Sequence, residues 1–574
     1  MAAGRTIKPI PGSAAHPLNH IQRSFTMSDL FIRKATGLVR SWSVFDAFVY
    51  AFFSINLVTL GLYSFSQMYY FEGGLIWTLL VSAFFILFEV VVYASLIAVM
   101  PRSGGDYVWQ SRILGGGIGF VLAITGWWFI LWLWVPLYAD MLRHIVITPI
   151  LGLLGAKDVA LWFGQTSLGL FTTALITLAI VTFYIVLGMK KYAQVQKWCF
   201  YGGILGLVIV LGLLLSSSPE SFKAGFESNA TALFGAAPGV YDATVAAGQE
   251  AGAALPLTGG TLNLVLLTLP YIVFFNLWPN WGATLYGEVR GATDFKRNFA
   301  GMASALLVTT LLGIAILLAI SKTIGWDFYV QANGAWWNYA WGFSEQLPPL
   351  PIWPYPALLA AFLTDNRLIQ LLVVGLMSLW WFGWSGTVFL SSTRVVFAAA
   401  FDRLLPEKVA EVDERTGTPV VALLLMVVPS IVVSFLFAYN IFDFRSLTLA
   451  STLVIAVTYF GTTIAAIVLP YRKPELYNAS PIAKFKILGI PLITVAGVIF
   501  GTFLGYLLFQ WLFDPNALYG IGYSINENGY KNGTSLIFMG ALYAVATAIY
   551  FGFKAYRKRS GLDLDKVHAE IPVE

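Results

Sequence analysis

The residues of this chain able to do chemistry are few, and most sit inside apolar surroundings. Asp46, Glu89, Asp140 and Glu288 are acids that fall within or at the ends of long hydrophobic stretches. An ionisable side chain in such a place is costly and is a functional candidate by default. Glu89 stands near the middle of LLVSAFFILFEVVVYASLIAVM, residues 79–100. A buried carboxyl is disfavoured as an anion, so it can carry a proton at neutral pH; a hydrogen-bonded structural Glu is the alternative. A second group is Phe274-Phe275-Asn276-Leu277-Trp278-Pro279-Asn280-Trp281-Gly282-Ala283-Thr284. Pro279 lacks an N–H and clashes with the preceding turn. Gly282 weakens a helix further, and Asn276 and Asn280 need partners away from water. A kinked helix with bonded amides and an unwound binding segment both satisfy this pattern. The third group, Ser54-Ile55-Asn56-Leu57-Val58-Thr59-Leu60-Gly61, puts three polar side chains and a glycine near the middle of the first apolar stretch. A continuous helix would tolerate it, because Ser and Thr bond their own backbone.

Other chemistry is missing from the sequence. None of His16, His20, His144 and His568 lies within a stretch long enough to span, and Cys199 is the single cysteine. There is no HExxH, no P-loop and no Cys/His metal spacing. Gly115-Gly116-Gly117-Ile118-Gly119 follows no strand and reads as a flexible helix start. No cofactor is expected, and the reading is not that of an enzyme. What remains is the binding and release of a proton, an ion or a small solute.

The elements that must position these groups are membrane helices. The 574 residues carry a net charge of +5, but only 11% are charged while 58% are hydrophobic and 16% aromatic. The mean hydropathy is +0.75. A soluble chain is about a quarter charged, so a soluble enzyme, a nucleic-acid binder and a disordered chain are excluded. A spanning helix needs about 20 apolar residues. Twelve stretches qualify: 44–70, 75–100, 118–142, 168–188, 199–216, 262–290, 299–323, 367–400, 419–438, 447–470, 486–513 and 535–553. They do not alternate as barrel strands would.

Basic residues orient these helices. With the N-terminus inside, 27 of the 34 Lys and Arg fall on inner segments, which supports an even number of spans with both tails cytoplasmic at the cell membrane. The first 40 residues read as a cytoplasmic tail and not a signal peptide. Two outer connections are long, 217–261 and 324–366. The second holds Trp336, Trp337, Trp341 and Trp353 among several prolines. Loops of this length carry a function or short helices of their own, and an interfacial cap or a cover over an outer vestibule would both fit.

Several segments resemble the amino acid–polyamine–organocation superfamily of permeases. Tyr93-Ala94-Ser95-Leu96 through Met100-Pro101-Arg102-Ser103-Gly104-Gly105-Asp106-Tyr107-Val108 is similar to its signature between helices two and three. Glu288-Val289-Arg290 resembles the segment after helix six. The most specific is Ser392-Thr393-Arg394 through Asp402-Arg403-Leu404-Leu405-Pro406, followed by Arg415-Thr416-Gly417-Thr418-Pro419. Trp42-Ser43-Val44-Phe45-Asp46-Ala47 is similar to the start of helix one. The likeness covers roughly residues 40–475.

The resemblance implies an all-α, polytopic membrane protein of twelve helices with a LeuT-type 5+5 inverted repeat and two C-terminal helices. The first repeat would be 41–216, the second 262–470, the extra helices 471–553 and the C-terminal tail 554–574. Substrate would sit between broken helices one and six, where half-helix ends offer free backbone groups. The lining expected from this is Ile55, Asn56, Thr59 and Gly61 on helix one, and Phe275, Asn276, Trp278, Asn280 and Trp281 on helix six. Trp128 on helix three and Trp384 on helix eight would complete it, within an aromatic set that also includes Trp127, Trp380 and Trp381.

The chain departs from the family pattern in three places. The glycine-rich motif of helix one is replaced at Leu57-Val58-Thr59. The usual acid before the loop is Ser95, with Glu89 six residues earlier. The lysine that some members carry in helix five falls at Gly203. Glu89 is then the candidate proton carrier, and Ser391 and Ser392 with helix-one carbonyls the candidate sodium ligands. Arg40, Asp46 and Asp402 are expected at an inner gate. The resulting expectation is a secondary transporter of amino acids or related amines, coupled to protons or sodium or working by exchange. Its partners would be that small solute, the coupling ion and the bilayer. A nutrient-sensing receptor on the same fold, a transporter of another organic solute and a channel are the rivals.

Overall fold

The computed structural model describes residues 41–445, 451–513 and 533–569. Among these, twelve helices are long and apolar enough to cross a membrane. They are Val44–Ser66 (α1), Leu75–Val99 (α2), Gly116–Leu153 (α3), Ser167–Val186 (α4), Met189–Ser216 (α5), Leu262–Glu288 (α6), Phe295–Ala340 (α7), Arg367–Phe401 (α8), Val420–Ala438 (α9), Thr452–Arg472 (α10), Leu492–Phe513 (α11) and Ser535–Arg559 (α12). The all-α polytopic fold is therefore present, with every span close to its expected place.

The differences in extent have local causes. α3 continues past Leu142 because a π-turn over Arg143–Ile147 carries Arg143 and His144 while their side chains turn to Asp140. The eleventh span starts at Leu492, since Lys486–Ile487 (β1) and Ile490–Pro491 (β2) form a small antiparallel hairpin. Gly489, at φ 82°, makes its tight turn possible. α7 bends at Gly325, and its second part, Trp326–Ala340, joins the long connections.

An even number of crossings brings the start of α1 and the end of α12 to one face, the tail face. The long connections lie on the opposite, loop face. They are not structureless: Pro219–Phe234, Val240–Glu250, Trp326–Ala340 and Pro356–Ala361 are helices. Tyr241 stacks on Phe328 with ring centroids 4.2 Å apart, which ties the two connections into one cap.

Two spans are broken. α1 starts with a capping box, in which Ser43 accepts from the Asp46 N–H at 3.2 Å and donates its own N–H to Asp46 at 2.8 Å. It runs as an α-helix to Ile55 and stops at Asn56, which adopts φ 47°. Asn tolerates this left-handed geometry better than most residues. Its side chain caps the next segment by accepting from Thr59 N–H at 2.9 Å and donates to the Trp380 carbonyl at 3.0 Å. The chain resumes as a π-turn over Leu57–Gly61 and a short helix to Ser66. α6 is helical from Leu262 to Asn276, loses its helical ladder across Leu277-Trp278-Pro279-Asn280, and continues as a 3-10 helix over Trp281–Glu288.

Close backbone approach brings the breaks together. A Cβ on Gly61 would lie 2.8 Å from the Phe275 ring, so only glycine allows this contact. In lipid, where water does not drive helices together, such small-residue contacts carry much of the packing. Beyond α12, the short helix Leu564–Ala569 folds back on the tail face, with Leu564, Val567 and His568 buried. His568 lies so close to Gly116 that a Cβ there would overlap its ring.

Candidate functional site

The two breaks face each other and concentrate polar atoms that have no partner. Thr59 Oγ1, Asn276 Nδ2, both amide atoms of Asn280 and Thr284 Oγ1 are buried and make no hydrogen bond. A buried polar group left this way costs about 1–3 kcal/mol. Five such atoms gather on two facing segments. Asn276 Oδ1 is fixed by the Ser82 hydroxyl at 2.8 Å, which leaves its N–H2 as a positioned donor. No residue of 56–61 or 276–284 is charged.

Aromatic rings wall the segment. Trp281 stacks on Trp134 with centroids 5.4 Å apart and packs on Trp127 at 4.4 Å. Its indole donates to the Thr387 carbonyl at 3.1 Å. Trp278 meets Trp134 edge-on at 5.1 Å and donates to the Phe274 carbonyl at 2.6 Å. Trp384 stacks on Tyr138 at 3.5 Å. Of the adjacent indoles on α3, Trp127 faces α6, whereas Trp128 turns to α9 and donates to the Leu425 carbonyl at 3.1 Å. Ile55 and Asn56 are buried at the first break. Phe275 fills the junction with Gly61 and Phe65.

Above and below, the breaks are sealed. On the loop face, the Tyr63 hydroxyl donates to Asp140, which is also held by Arg143 Nε at 2.8 Å. Trp337 of the cap donates to Ser66 at 2.9 Å, and its ring packs against Tyr63 at 5.2 Å. On the tail face, Arg394 and Glu288 form a buried pair at 2.8 and 3.3 Å. The Glu288 carbonyl accepts from the N–H groups of Ser41 and Trp42 at 3.0 and 3.2 Å, locking the start of α1 to the end of α6. The cavity between Trp42, Tyr50, Pro279 and Gly282 measures about 10 Å³. That is room for one water at most.

The residues expected at a gate lie at this face, with partners the sequence did not reveal. Asp46 pairs with Lys197 at 2.7 Å. Asp402 is bound by Arg112 at 2.5 and 2.8 Å and by the Tyr107 hydroxyl at 2.7 Å. Arg40 lies outside the described residues. Ser391 donates to the Trp281 carbonyl at 2.9 Å and is 2.7 Å from the Tyr50 hydroxyl, and Ser392 bonds the Phe389 carbonyl at 3.1 Å. Both hydroxyls are engaged with protein groups. At Gly203 the carbonyl accepts from the Trp380 indole at 2.9 Å, and an added Cβ would meet that ring at 3.0 Å. A lysine has no room there.

Glu89 is fully buried on α2, and neither carboxyl oxygen has a hydrogen-bond partner. Tyr459 on α10 stands between it and the second break, in contact with Trp278 at 6.4 Å. Its hydroxyl faces Asn280 without a bond of good geometry. Trp127 belongs to the expected aromatic set, whereas Tyr459 and Tyr138 are the neighbours that the sequence alone did not single out. Their only signal there is membership in an aromatic-rich chain.

Among curated proteins, no sequence matches the chain. The amino acid permease family model matches residues 45–546. That match spans nearly all of the twelve helices, including both breaks and the sealed polar site between them, and the chain belongs to the amino acid permease family, within the superfamily that its signature segments resemble.

Proposed function

We propose that this protein is a secondary transporter that moves amino acids or related amines by alternating access. The observation that carries this reading is the set of unpartnered buried polar atoms on Thr59, Asn276, Asn280 and Thr284, where two broken spans meet between two closed faces. Free backbone groups at half-helix ends and positioned amides suit an amino or carboxyl group. The surrounding indoles suit an ammonium or an apolar side chain. Substrate would be held by Asn56, Thr59, Asn276 and Asn280, with Trp127 in the place expected of Trp128. Opening one face at a time, by parting Glu288 from Arg394 or Tyr63 from Asp140, would expose this site alternately. The two five-helix repeats, with the tail face in the cytoplasm of a cell-membrane protein, complete the reading.

Proton coupling through Glu89 is the version we favour. Its carboxyl has no donor to stabilise an anion, whereas the serines suited to sodium are already bonded to protein. The test is a thermal-shift screen of the purified protein against amino acids, amines and small organic acids. Uptake into proteoliposomes under separate proton and sodium gradients follows. A stabilising ligand that accumulates with a proton gradient is expected, as is loss of that accumulation in Glu89→Gln. Binding without flux would assign the protein to the receptors instead, and an inert response to every amino acid and amine would refute the substrate class.

A further inference from the structure

Asp106 is a second acid buried beside this site. It opens the short helix Asp106–Ile113, which lies between α2 and α3 outside the spans, and its side chain is fully buried. One carboxyl oxygen accepts from the Tyr93 hydroxyl of α2 at 2.6 Å and the Thr462 hydroxyl of α10 at 2.5 Å. The other accepts from the Trp127 indole of α3 at 3.1 Å. Three side-chain donors from three spans thus meet one carboxylate. No Lys, Arg or His pairs with it or with Glu89 among the described residues.

The titratable neighbours are Glu89, Tyr93 and Tyr459. On the other side of the short helix lie Tyr107, the Arg112–Asp402 pair and His568. Arg394 and Glu288 pair with each other. Two carboxyls thus share one buried region with no cation, and the donors are divided unevenly. Asp106 has three and Glu89 has none, so of the two it is Asp106 that is built to hold a negative charge.

We infer that Asp106 is the positioning residue through which proton binding moves the substrate-carrying segment of α6. This rests on the transport reading above. A carboxylate accepts from all three donors at once with its full charge; a protonated carboxyl is a weaker acceptor, and although the Tyr93 and Thr462 hydroxyls can turn to accept its proton, the Trp127 indole can only donate. A proton on Asp106 therefore loosens the grip on Trp127, whose ring packs 4.4 Å from Trp281. One indole thus links the charge of Asp106 to the broken segment, and the proton leaves again when Asp106 recovers its three donors. Burial pushes the Asp106 carboxyl up and the Thr462, Tyr93 and Trp127 donors oppose it, leaving it at about 6, within the range over which a transporter could load and unload protons.

The experiment has two arms on the full chain. The first follows thermal stability of the purified protein from about pH 4 to about pH 8 and needs no substrate. A carboxyl raised on folding stabilises the protein when protonated, so stability falls as pH rises through the titration. The wild type is expected to show this fall between the ordinary carboxylate range and about pH 6, levelling off above it. Asp106→Asn should remove it. Thr462→Val, which deletes one donor to the anion, should move the upper end of the fall up by about one pH unit, a tenfold gain in proton affinity, and carry the midpoint up with it.

The second arm measures uptake of radiolabelled L-amino acids and putrescine. Asp106→Asn should lose at least about tenfold of proton-driven accumulation while keeping counterflow exchange, and Trp127→Phe, which deletes another donor to the anion, should weaken accumulation and move the stability midpoint up. If the wild type moves no solute, the transport reading fails, while the first arm still tests the titration. A midpoint unmoved in both Asp106→Asn and Thr462→Val overturns the inference, as does proton-driven accumulation in Asp106→Asn at the wild-type level. Where Asp106→Asn does not fold, the Thr462→Val midpoint decides.

Discussion

Replacing Arg394 by Met tests whether the Glu288–Arg394 pair is the closure of the tail face. The side chains are 1% and 4% exposed and bonded at two points, so removing the guanidinium leaves a carboxylate buried without its cation. Breaking such a pair costs about 3–5 kcal/mol, most of it the isolated charge. Glu288→Gln keeps an acceptor for Arg394 and should cost less, roughly 2–3 kcal/mol. The double variant removes both charges, and its loss should fall short of the sum by at least about 2 kcal/mol. Reversible unfolding in mixed micelles, followed by tryptophan fluorescence, gives all three values. A second readout uses access. Ala51 lines the small tail-face cavity, and Cys199 is the single native cysteine. In a Cys199→Ala background, a thiol at position 51 should label at least about tenfold faster when Arg394 is Met, since each 1.4 kcal/mol is a factor of ten in population. Additive losses within about 0.5 kcal/mol, or unchanged labelling, would refute the assignment of this pair as a closing contact.

Three further outcomes are expected. Asn280→Leu removes amide atoms that bond nothing, so thermal stability should hold or rise; the stabilisation given by a bound solute should vanish in the same thermal-shift assay. Gly61→Ala places a methyl 2.8 Å from Phe275 and should cost about 1–3 kcal/mol, recovered by Phe275→Leu, as unfolding midpoints will show. Tyr63→Phe loses a hydroxyl donated to Asp140 and should cost about 1.5–3 kcal/mol; labelling of a thiol placed at Thr59 from the loop face should speed up.

The sequence displayed most of the architecture because membrane physics writes it plainly. A span needs an unbroken apolar run, and a break within one needs a residue such as Pro279 or a polar group such as Asn280. Asn56 was a fainter sign, since an amide in a helix need not unwind it. Rotation about a helix axis was not readable. Trp127 and Trp128 are adjacent and chemically alike, and which of them meets α6 depends on a π-turn at Thr125–Phe129 followed by a 3-10 turn at Ile130–Leu133. These shift the helical phase by amounts no apolar pattern records. Long-range partners were hidden for a related reason. Asp106 reads as part of a polar connection, yet packing sets it against Thr462 on the tenth span. Asp46 found Lys197, and Asp402 found Arg112, at separations only the folded chain defines.

The short helix Leu564–Ala569 carries a consequence for how the protein is made. Its His568 lies 3.3 Å from Tyr107 and fills the space beside Gly116, while Arg557 donates to the Arg403 carbonyl at 3.1 Å. These contacts close the corner where the second, third and eighth spans emerge. The segment that closes it follows every span in the chain. During synthesis that corner therefore stays open until the twelfth helix has been inserted. A chain interrupted anywhere earlier leaves Tyr107 without its contact to His568, and Gly116 and Gly117 without the His568 and Tyr550 rings that pack on them.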